Sequence, residues 1–267
     1  MRADRQPLVS IVTPSFQQAA YLSENLRSVG AQSYRPIEHV IRDGGSTDGT
    51  VDILRSAPRA RWVSETDRGQ TDALNKGVAE SRGEIIGWLN SDDYLYPGAV
   101  EAAVRVLEET GADAVYGRCL LVDGGGAKIG FYRTEPFSYQ RLLIRNIIAQ
   151  PALFFRRRLY DEFGPFDESL MFALDYEYWL RCGRRSSFIY VPELFAAYRI
   201  HPDAKTSTGA MKHAAEANML RLRYGRGVLP AWRLWVACKR TYLGGLLKSS
   251  KMGLELTKAA SWRRISE

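Results

Sequence analysis

The amino-acid sequence predicts an α/β protein with a mixed sheet flanked by helices and a helical C-terminal extension. Three observations carry this expectation. Over the first hundred residues, short β-rich runs alternate with stretches of helical spacing, the order that builds βαβ units and a largely parallel sheet. Beyond about Ala112, the runs Ala114 to Val122 and Lys128 to Tyr132 flank a Gly124-Gly125-Gly126 turn and read as a hairpin, which makes the sheet mixed. Everything after about Met211 is helical in pattern, without repeats or low-complexity tracts.

Each element has its own signal. Leu8 to Pro14 is a strand stopped by its proline, and Leu22, Leu26 and Val29 mark a helix over 21–32. Ile37 to Arg42 is a second strand, ending at Asp43-Gly44-Gly45-Ser46-Thr47-Asp48-Gly49; Val51, Ile53 and Leu54 open the next helix, and Arg61 to Ser64 is a third strand. A helix over 70–81 leads into a strand from Glu84 to Leu89. In the second half, Phe137 to Arg145 is helical, Ile147 to Phe155 is an apolar segment broken by Pro151, and Arg156 to Phe163 is a short helix. Tyr176 to Cys182 forms another helix, strands follow at 188–191 and 195–200, and His201 to Gly209 reads as a polar loop.

With 45% apolar residues in 267, the chain can bury one large core or two modest ones. Cys119, Cys182 and Cys238 are widely separated, which indicates neither a disulfide framework nor a zinc site and points to a reducing cytosol. No signal-peptide core opens the chain, and no run approaches the ~18 apolar residues of a membrane span, so a cytoplasmic protein is expected. The net charge of +7 is uneven. From Leu220 onward eleven Lys and Arg face only Glu255 and Glu267, which leaves residues 1–219 at −2. A body without basic excess argues against nucleic acid as a partner.

The strand from Glu84 halts at Asn90-Ser91-Asp92-Asp93. Open α/β sheets hold ligands at the carboxyl ends of their strands. Two adjacent carboxylates with no basic residue between Glu84 and Arg105 repel each other unless a cation sits beside them, so the pair reads as a metal and phosphate site. An ordinary Asp-rich turn capping a helix that opens at Pro97 fits the same residues. Asp43, an acid at the end of a buried strand, is placed to accept from a ribose or base, while Gly44 to Asp48 also fit a plain βα turn. Asp67 offers an acceptor, and Gln70, Asn75 and Lys76 offer donors, at the start of the helix over 70–81. Neither a Gly-x-Gly-x-x-Gly loop nor a Gly-Lys-Ser/Thr motif occurs, which disfavours dinucleotide oxidoreductases and P-loop enzymes.

Val9 to Phe16, Asp43 to Thr50, Gly69 to Gly77 and Asn90 to Asp93, in this order and spacing, closely resemble family 2 glycosyltransferases of the GT-A fold. The resemblance covers 8–205. It implies a Rossmann-like mixed sheet, a nucleotide-sugar donor, a divalent cation (Mn2+ or Mg2+), inversion at the anomeric carbon, and a nucleotide-binding half over 8–110 with an acceptor-binding half over 111–210. Carried over, Thr13, Pro14 and Ser15 line the base pocket, Asp43 bonds base or ribose, and Asp67, Gln70 and Asn75 lie near the nucleotide. The metal motif falls on Ser91 to Asp93, with Asp93 as metal ligand and Asp92 facing the donor. Asp175 corresponds to the catalytic base, Gln150 and Trp179 to the acceptor side, and His201 and Lys205 to a closing loop that meets metal or diphosphate. The residues themselves leave plainer roles open, since Asp175 also fits a helix cap and Leu153 to Phe155 a core strand.

The extension over 211–267 interleaves aromatic and basic residues from Pro230 to Leu247. Such a helix either lies on an anionic membrane, through about 230–265, or packs on the catalytic domain with a solvated basic face. Similarity to bacterial cell-surface polysaccharide enzymes implies a UDP-sugar donor, a saccharide or lipid-linked acceptor and a place at the inner face of the plasma membrane, with homo-oligomers open. The runner-up readings are a sugar-1-phosphate nucleotidyltransferase and a non-catalytic nucleotide-sugar or glycan-binding module.

Overall fold

A computed structural model describes residues 6–249. Its sheet contains nine strands, eight of them in the order β3-β2-β1-β4-β8-β6-β9-β5, with β7 paired to β6. The first half is the expected parallel unit: β1 (Val9–Ser15), β2 (Ile37–Asp43), β3 (Ala60–Ser64) and β4 (Ile85–Trp88), joined through α1 (Ala19–Gly30), α2 (Thr50–Arg55) and α3 (Gln70–Glu80). Every residue of β1 and β4 is buried, as continuous apolar runs covered on both faces should be. Gly87 of β4 is required there, because a Cβ would lie 2.8 Å from the Phe154 ring of the neighbouring strand.

The second half is mixed. A two-residue strand β5 (Tyr94–Leu95) precedes α4 (Ala99–Thr110); then come the hairpin β6 (Ala114–Asp123) and β7 (Lys128–Phe131) and helix α5 (Tyr139–Ile144). Pro151 splits the apolar segment into a 3-10 turn, Gln150–Ala152, and strand β8 (Leu153–Arg156), which runs antiparallel to both β4 and β6. After α6 (Arg157–Phe163) and α7 (Leu174–Cys182), the two strands expected at 188–191 and 195–200 form one continuous strand, β9 (Phe188–Ile200). Its register against β6 shifts around Arg118, which lets Pro192, a residue without an N–H, sit outside the ladder. Gly117 faces this bulge, where a Cβ would come 2.6 Å from the Glu193 carbonyl oxygen.

Two cores sandwich the sheet. Residues of α1 and α4, with Ile11, Phe154 and Phe195, fill one face, and those of α3, α5 and α7, with Ile86, Phe155 and Trp179, fill the other. The segment expected as a polar loop from His201 contains a helical turn, α8 (Lys205–Thr208), with Ala204 buried beside it. Helices α9 (Ala210–Gly225) and α10 (Ala231–Ser249) pack on each other, and Ala217, Leu220 and Leu234 join the second core. The part of the expected membrane-contacting tail beyond Ser249 lies outside the described residues. Among the described residues no helix is long and apolar enough to cross a membrane.

Candidate active site

β4 stops at Trp88, and the chain turns so that the Asp93 amide donates to the Asn90 carbonyl at 3.0 Å. Two remote side chains lock this turn. Asn25 on α1 donates from Nδ2 to the carbonyls of Asn90 (2.9 Å) and Asp93 (3.0 Å), and Arg199 on β9 donates from Nε to the Asp92 carbonyl at 2.9 Å. Arg199 also reaches the carbonyls of Asp123 and Gly124 at the hairpin tip and the Glu24 carboxylate. Held this way, the two aspartates have different surroundings. Asp93 is 1% exposed; its Oδ1 accepts the Arg199 amide at 2.8 Å, and burial together with the Asp92 charge pushes its carboxyl well above the usual range. Asp92 keeps some exposure, with Oδ2 3.2 Å from Nε2 of His201. Asp93, read as the metal ligand, is sealed beneath the turn with its Oδ2 unpartnered, and Asp92, read as facing the donor, is the acid beside His201. Ser91 is also buried, so it presents no group to a donor.

A chain of hydrogen bonds starts from this turn. Lys205 Nζ donates to Gln70 Oε1 at 3.0 Å, Gln70 Nε2 to Asn90 Oδ1 at 2.7 Å, and Asn90 Nδ2 to Gln150 Oε1 at 3.0 Å. Gln150 Nε2 ends the chain on the Trp88 carbonyl. Lys205, Gln70 and Gln150, from distant parts of the sequence, thus meet at one strand end, with Asn90 as their hub. Burial holds the Lys205 ammonium below its ordinary pKa.

At the end of β1 the expected base-pocket residues are mostly out of reach. Thr13 and Pro14 are buried, the Thr13 hydroxyl pairing with His39 Nε2 at 2.9 Å, and Ser15 is buried with them. The side chain that emerges is Phe16, 58% exposed. Gly44 lies between Phe16 and Asp67: a Cβ there would sit 2.8 Å from Asp67 Oδ2 and 3.3 Å from the Phe16 ring, so glycine keeps a slot open between an aromatic face and a carboxylate. Asp43 does not reach this slot, because its carboxylate accepts the Gly45 and Ser46 amides and the Ser46 and Ser64 hydroxyls. Asn75 is likewise spent. It donates to the Phe166 carbonyl at 3.0 Å and accepts the Phe166 amide at 2.9 Å, pinning α3 to the chain after α6 rather than touching a donor.

Asp175 stands in the first turn of α7, where helix N–H groups favour a carboxylate. Asn146 Nδ2 donates to its Oδ2 at 3.1 Å, yet burial outweighs these contacts and pushes the carboxyl up to about 6. Such a group is ionised at neutral pH and a stronger base than an ordinary aspartate. The phenol of Tyr132, bonded to the Asn146 carbonyl at 3.2 Å, is pushed up by its burial and then by the charges of Asp175 and Cys119; Cys119 in turn is raised by burial and by Asp93. The Tyr132 amide also donates to the Cys119 carbonyl of β6, and Arg199, whose amide donates to Asp93, pairs with Val122 of the same strand, so Asp175 and the aspartate turn are both tied to this part of β6. Trp179 does not join them. It is 1% exposed and packs edge-on against Phe155, Tyr178 and Phe188, which makes it core, not acceptor surface.

Residues 10–165 match the family model described as Glycosyl transferase family 2. The chain belongs to this family. A PGL/p-HBAD biosynthesis glycosyltransferase of Mycobacterium bovis is 32% identical over 201 residues, which span 72% of this chain and 77% of that one. The fold is also that of two solved structures. S. aureus TarS in complex with UDP-GlcNAc superposes with a TM-score of 0.68 at 16% identity, over 91% of this chain and 73% of that one. Mannosyltransferase PcManGT from Pyrobaculum calidifontis, in complex with GDP-Man and Mn2+, gives 0.63 at 19% identity, over 98% and 81%. The sheet is thus of the GT-A type, and the protein is a glycosyltransferase.

For a family 2 glycosyltransferase the fit to a divalent cation can be tested on the side chains themselves. Among the described residues no three His, Cys, Asp or Glu side chains converge. Two do. The 3.2 Å between Asp92 Oδ2 and His201 Nε2 suits two adjacent ligands of one octahedral ion, for which about 3 Å is expected from ligand distances of about 2.1 Å. The carboxylate oxygen suits Mn2+ or Mg2+, but imidazole is a ligand of transition metals rather than of Mg2+, so the pair fits Mn2+ better, with substrate phosphates left to supply further oxygens. Three residues of this glycosyltransferase escaped the sequence reading: Phe16, Asn90 and Asn146. Phe16 and Asn90 lie inside the quoted motifs, so attention to their side chains would have found them. Asn146 has no local signal, since its partner is 29 residues away.

Proposed function

We propose that this glycosyltransferase moves a sugar, with inversion, from a nucleoside-diphosphate sugar to a hydroxyl of a saccharide or lipid-linked acceptor in surface polysaccharide synthesis. The observation that carries this reading is Asp175. Its carboxyl is raised to about 6 and held by Asn146, in the same short segment whose Gln150 grips Asn90 of the aspartate turn. Asp175 takes the proton of the acceptor hydroxyl as its oxygen bonds to the anomeric carbon, and the bond from that carbon to the diphosphate oxygen breaks. Lys205 and His201 lie where the departing diphosphate gathers charge. A cation held by Asp92 and His201 would add Lewis-acid stabilisation of that leaving group.

Phe16 and Asp67 offer the donor base a stacking face and an acceptor on either side of Gly44. Uridine is our choice of base, supported by the likeness to TarS in complex with UDP-GlcNAc, with guanosine the second reading because PcManGT is in complex with GDP-Man. We place the enzyme in the cytoplasm at the inner face of the membrane. Family membership sets aside the nucleotidyltransferase and non-catalytic readings. The test is a screen of UDP- and GDP-sugars with Mn2+ or Mg2+, followed by thermal shift and donor hydrolysis. A UDP-sugar should raise the melting temperature and be hydrolysed slowly; the absence of any response to every nucleotide sugar would reject the proposal.

A further inference from the structure

One cavity takes no part in the transfer just described. It lies where α5 and the chain following β7 meet α10, has a volume of about 350 Å³, and is lined by Arg133, Arg141, Arg145 and Arg240 against a single acid, Glu135. Glu135 is shared among three of them, with contacts of 3.4 Å from Arg133, 3.0 Å from Arg141 and 2.5 Å from Arg145. Arg240 has no acidic partner among the described residues. Four guanidiniums around one carboxylate leave a local excess of three positive charges; water screens part of the repulsion at the exposed Arg133 and Arg141, and an entering anion would offset the rest. Guanidinium forks match the oxygens of phosphate esters, and several lining one cavity offer such a group donors from more than one side.

Its position says which phosphate. Arg145 precedes Asn146, the residue that holds Asp175, and Tyr132, which directly precedes Arg133, donates its hydroxyl to the Asn146 carbonyl at 3.2 Å. The cavity is therefore beside the carboxylate that activates the acceptor, and the Lys205 and His201 cluster lies at the other substrate. Helix α10, which supplies Arg240, has two unlike faces. Leu234 and Ala237 are buried toward the protein, while Trp232 (66% exposed), Trp235 (62% exposed), Tyr242, Leu243, Leu246 and Leu247 form an outward stripe at helical spacing. Lys239 stands over Trp235 at 5.1 Å within that stripe. Aromatic residues interleaved with cations are the composition of a helix that settles into an anionic lipid interface.

We propose that the arginine-lined cavity binds the phosphate or diphosphate ester of an amphiphilic acceptor, whose lipid chain lies with the outer face of α10 in the membrane surface. This inference rests on the transfer reading above and narrows its acceptor to a lipid phosphate. The test uses the full chain saturated with UDP, titrated with phosphatidylcholine vesicles that contain or lack a polyprenyl phosphate. Wild type binds the polyprenyl phosphate vesicles about tenfold more tightly, and inorganic pyrophosphate competes. Arg141→Ala with Arg240→Ala removes that preference, and the paired lysine substitutions restore part of it. Trp232→Ala with Trp235→Ala weakens binding to both vesicles but leaves the competing pyrophosphate concentration unchanged. A preference that survives the double alanine substitution overturns the site. Equal binding to vesicles carrying phosphatidylglycerol at matched charge overturns the ester and leaves only a generic anionic surface. Donor response is read separately as the thermal shift with UDP: its absence in wild type would sink the transfer reading, whereas a normal UDP shift without vesicle preference would sink this inference alone.

Discussion

Asp43 and Asp175 are both acids at the ends of elements that face the site, and they are used in opposite ways. Asp43 receives two amides and two hydroxyls from its own neighbourhood, three of them on Oδ2, so most of its accepting capacity is spent locally and only Oδ1 keeps any to spare. Asp175 receives one side-chain hydrogen bond, from Asn146, and burial leaves it short of solvation with its pKa near 6. The same contrast separates two amides. Asn75 is consumed by the Phe166 backbone, whereas Asn90 is the hub of a chain that touches Gln70 and Gln150. Residue type and motif position do not tell such pairs apart; unspent hydrogen-bonding capacity does.

The largest test of this contrast is Asp175→Asn. Removing a general base should lower kcat by about 10³-fold while leaving UDP binding by calorimetry intact. The wild-type rate should fall as pH drops through about 6. Stability should move the other way. The folded pKa lies above the unfolded value, so the folded protein binds more protons between about pH 4 and 6 and loses stability as pH rises through that window. Urea denaturation across that range should show the slope in wild type and a shallower one in Asp175→Asn, where the raised Asp93 keeps its share. An equal loss of kcat in Asp43→Asn with an unshifted melting temperature would break the comparison.

A second, smaller effect sharpens the reading of the aspartate turn. Asp92→Asn should weaken activation by Mn2+ by about ten- to a hundredfold, the range seen when ligand shells are disturbed, read as the metal concentration for half-maximal rate. Asp93→Ala should instead lower the melting temperature with little change in that concentration, since it removes the acceptor of the Arg199 amide beneath the turn. The smallest effect on activity is expected from Asn75→Ala. It leaves the Phe166 amide and carbonyl unpaired in a buried place, which should cost about 2–3 kcal/mol in urea unfolding while the donor KM stays within about twofold.

The sequence reading anticipated the alternation of the first hundred residues, because buried parallel strands and amphipathic helices write themselves as local patterns. It divided β9 in two, since Pro192 looks like an end when only neighbours along the chain are visible; the bulge that accommodates it depends on Gly117, 75 positions earlier. The site was legible as a set of motifs but not as a set of roles. Which of Asp92 and Asp93 faces the pocket is decided by Arg199 and Asn25, residues outside the motif. Trp179 and Thr13 looked available because their motifs are functional, and burial is a property of the whole fold.

The reversed strand β8 has one more consequence. Because it runs against β4, it begins where β4 ends, and Gln150 meets Asn90 from 60 positions away. The chain between β7 and Gln150 thus leaves the sheet and re-enters it in the interior, between β4 and β6, carrying Arg133, Arg141, Arg145 and Asn146 on the way. The turn that presents Asp92 is fastened from elsewhere, by Asn25 and Arg199. In engineering terms, if the proposed roles hold, exchanging the exposed part of this excursion for that of a relative, with the buried Leu142, Leu143, Ile147 and Ile148 kept, is expected to alter the acceptor received while donor binding by calorimetry stays as it was.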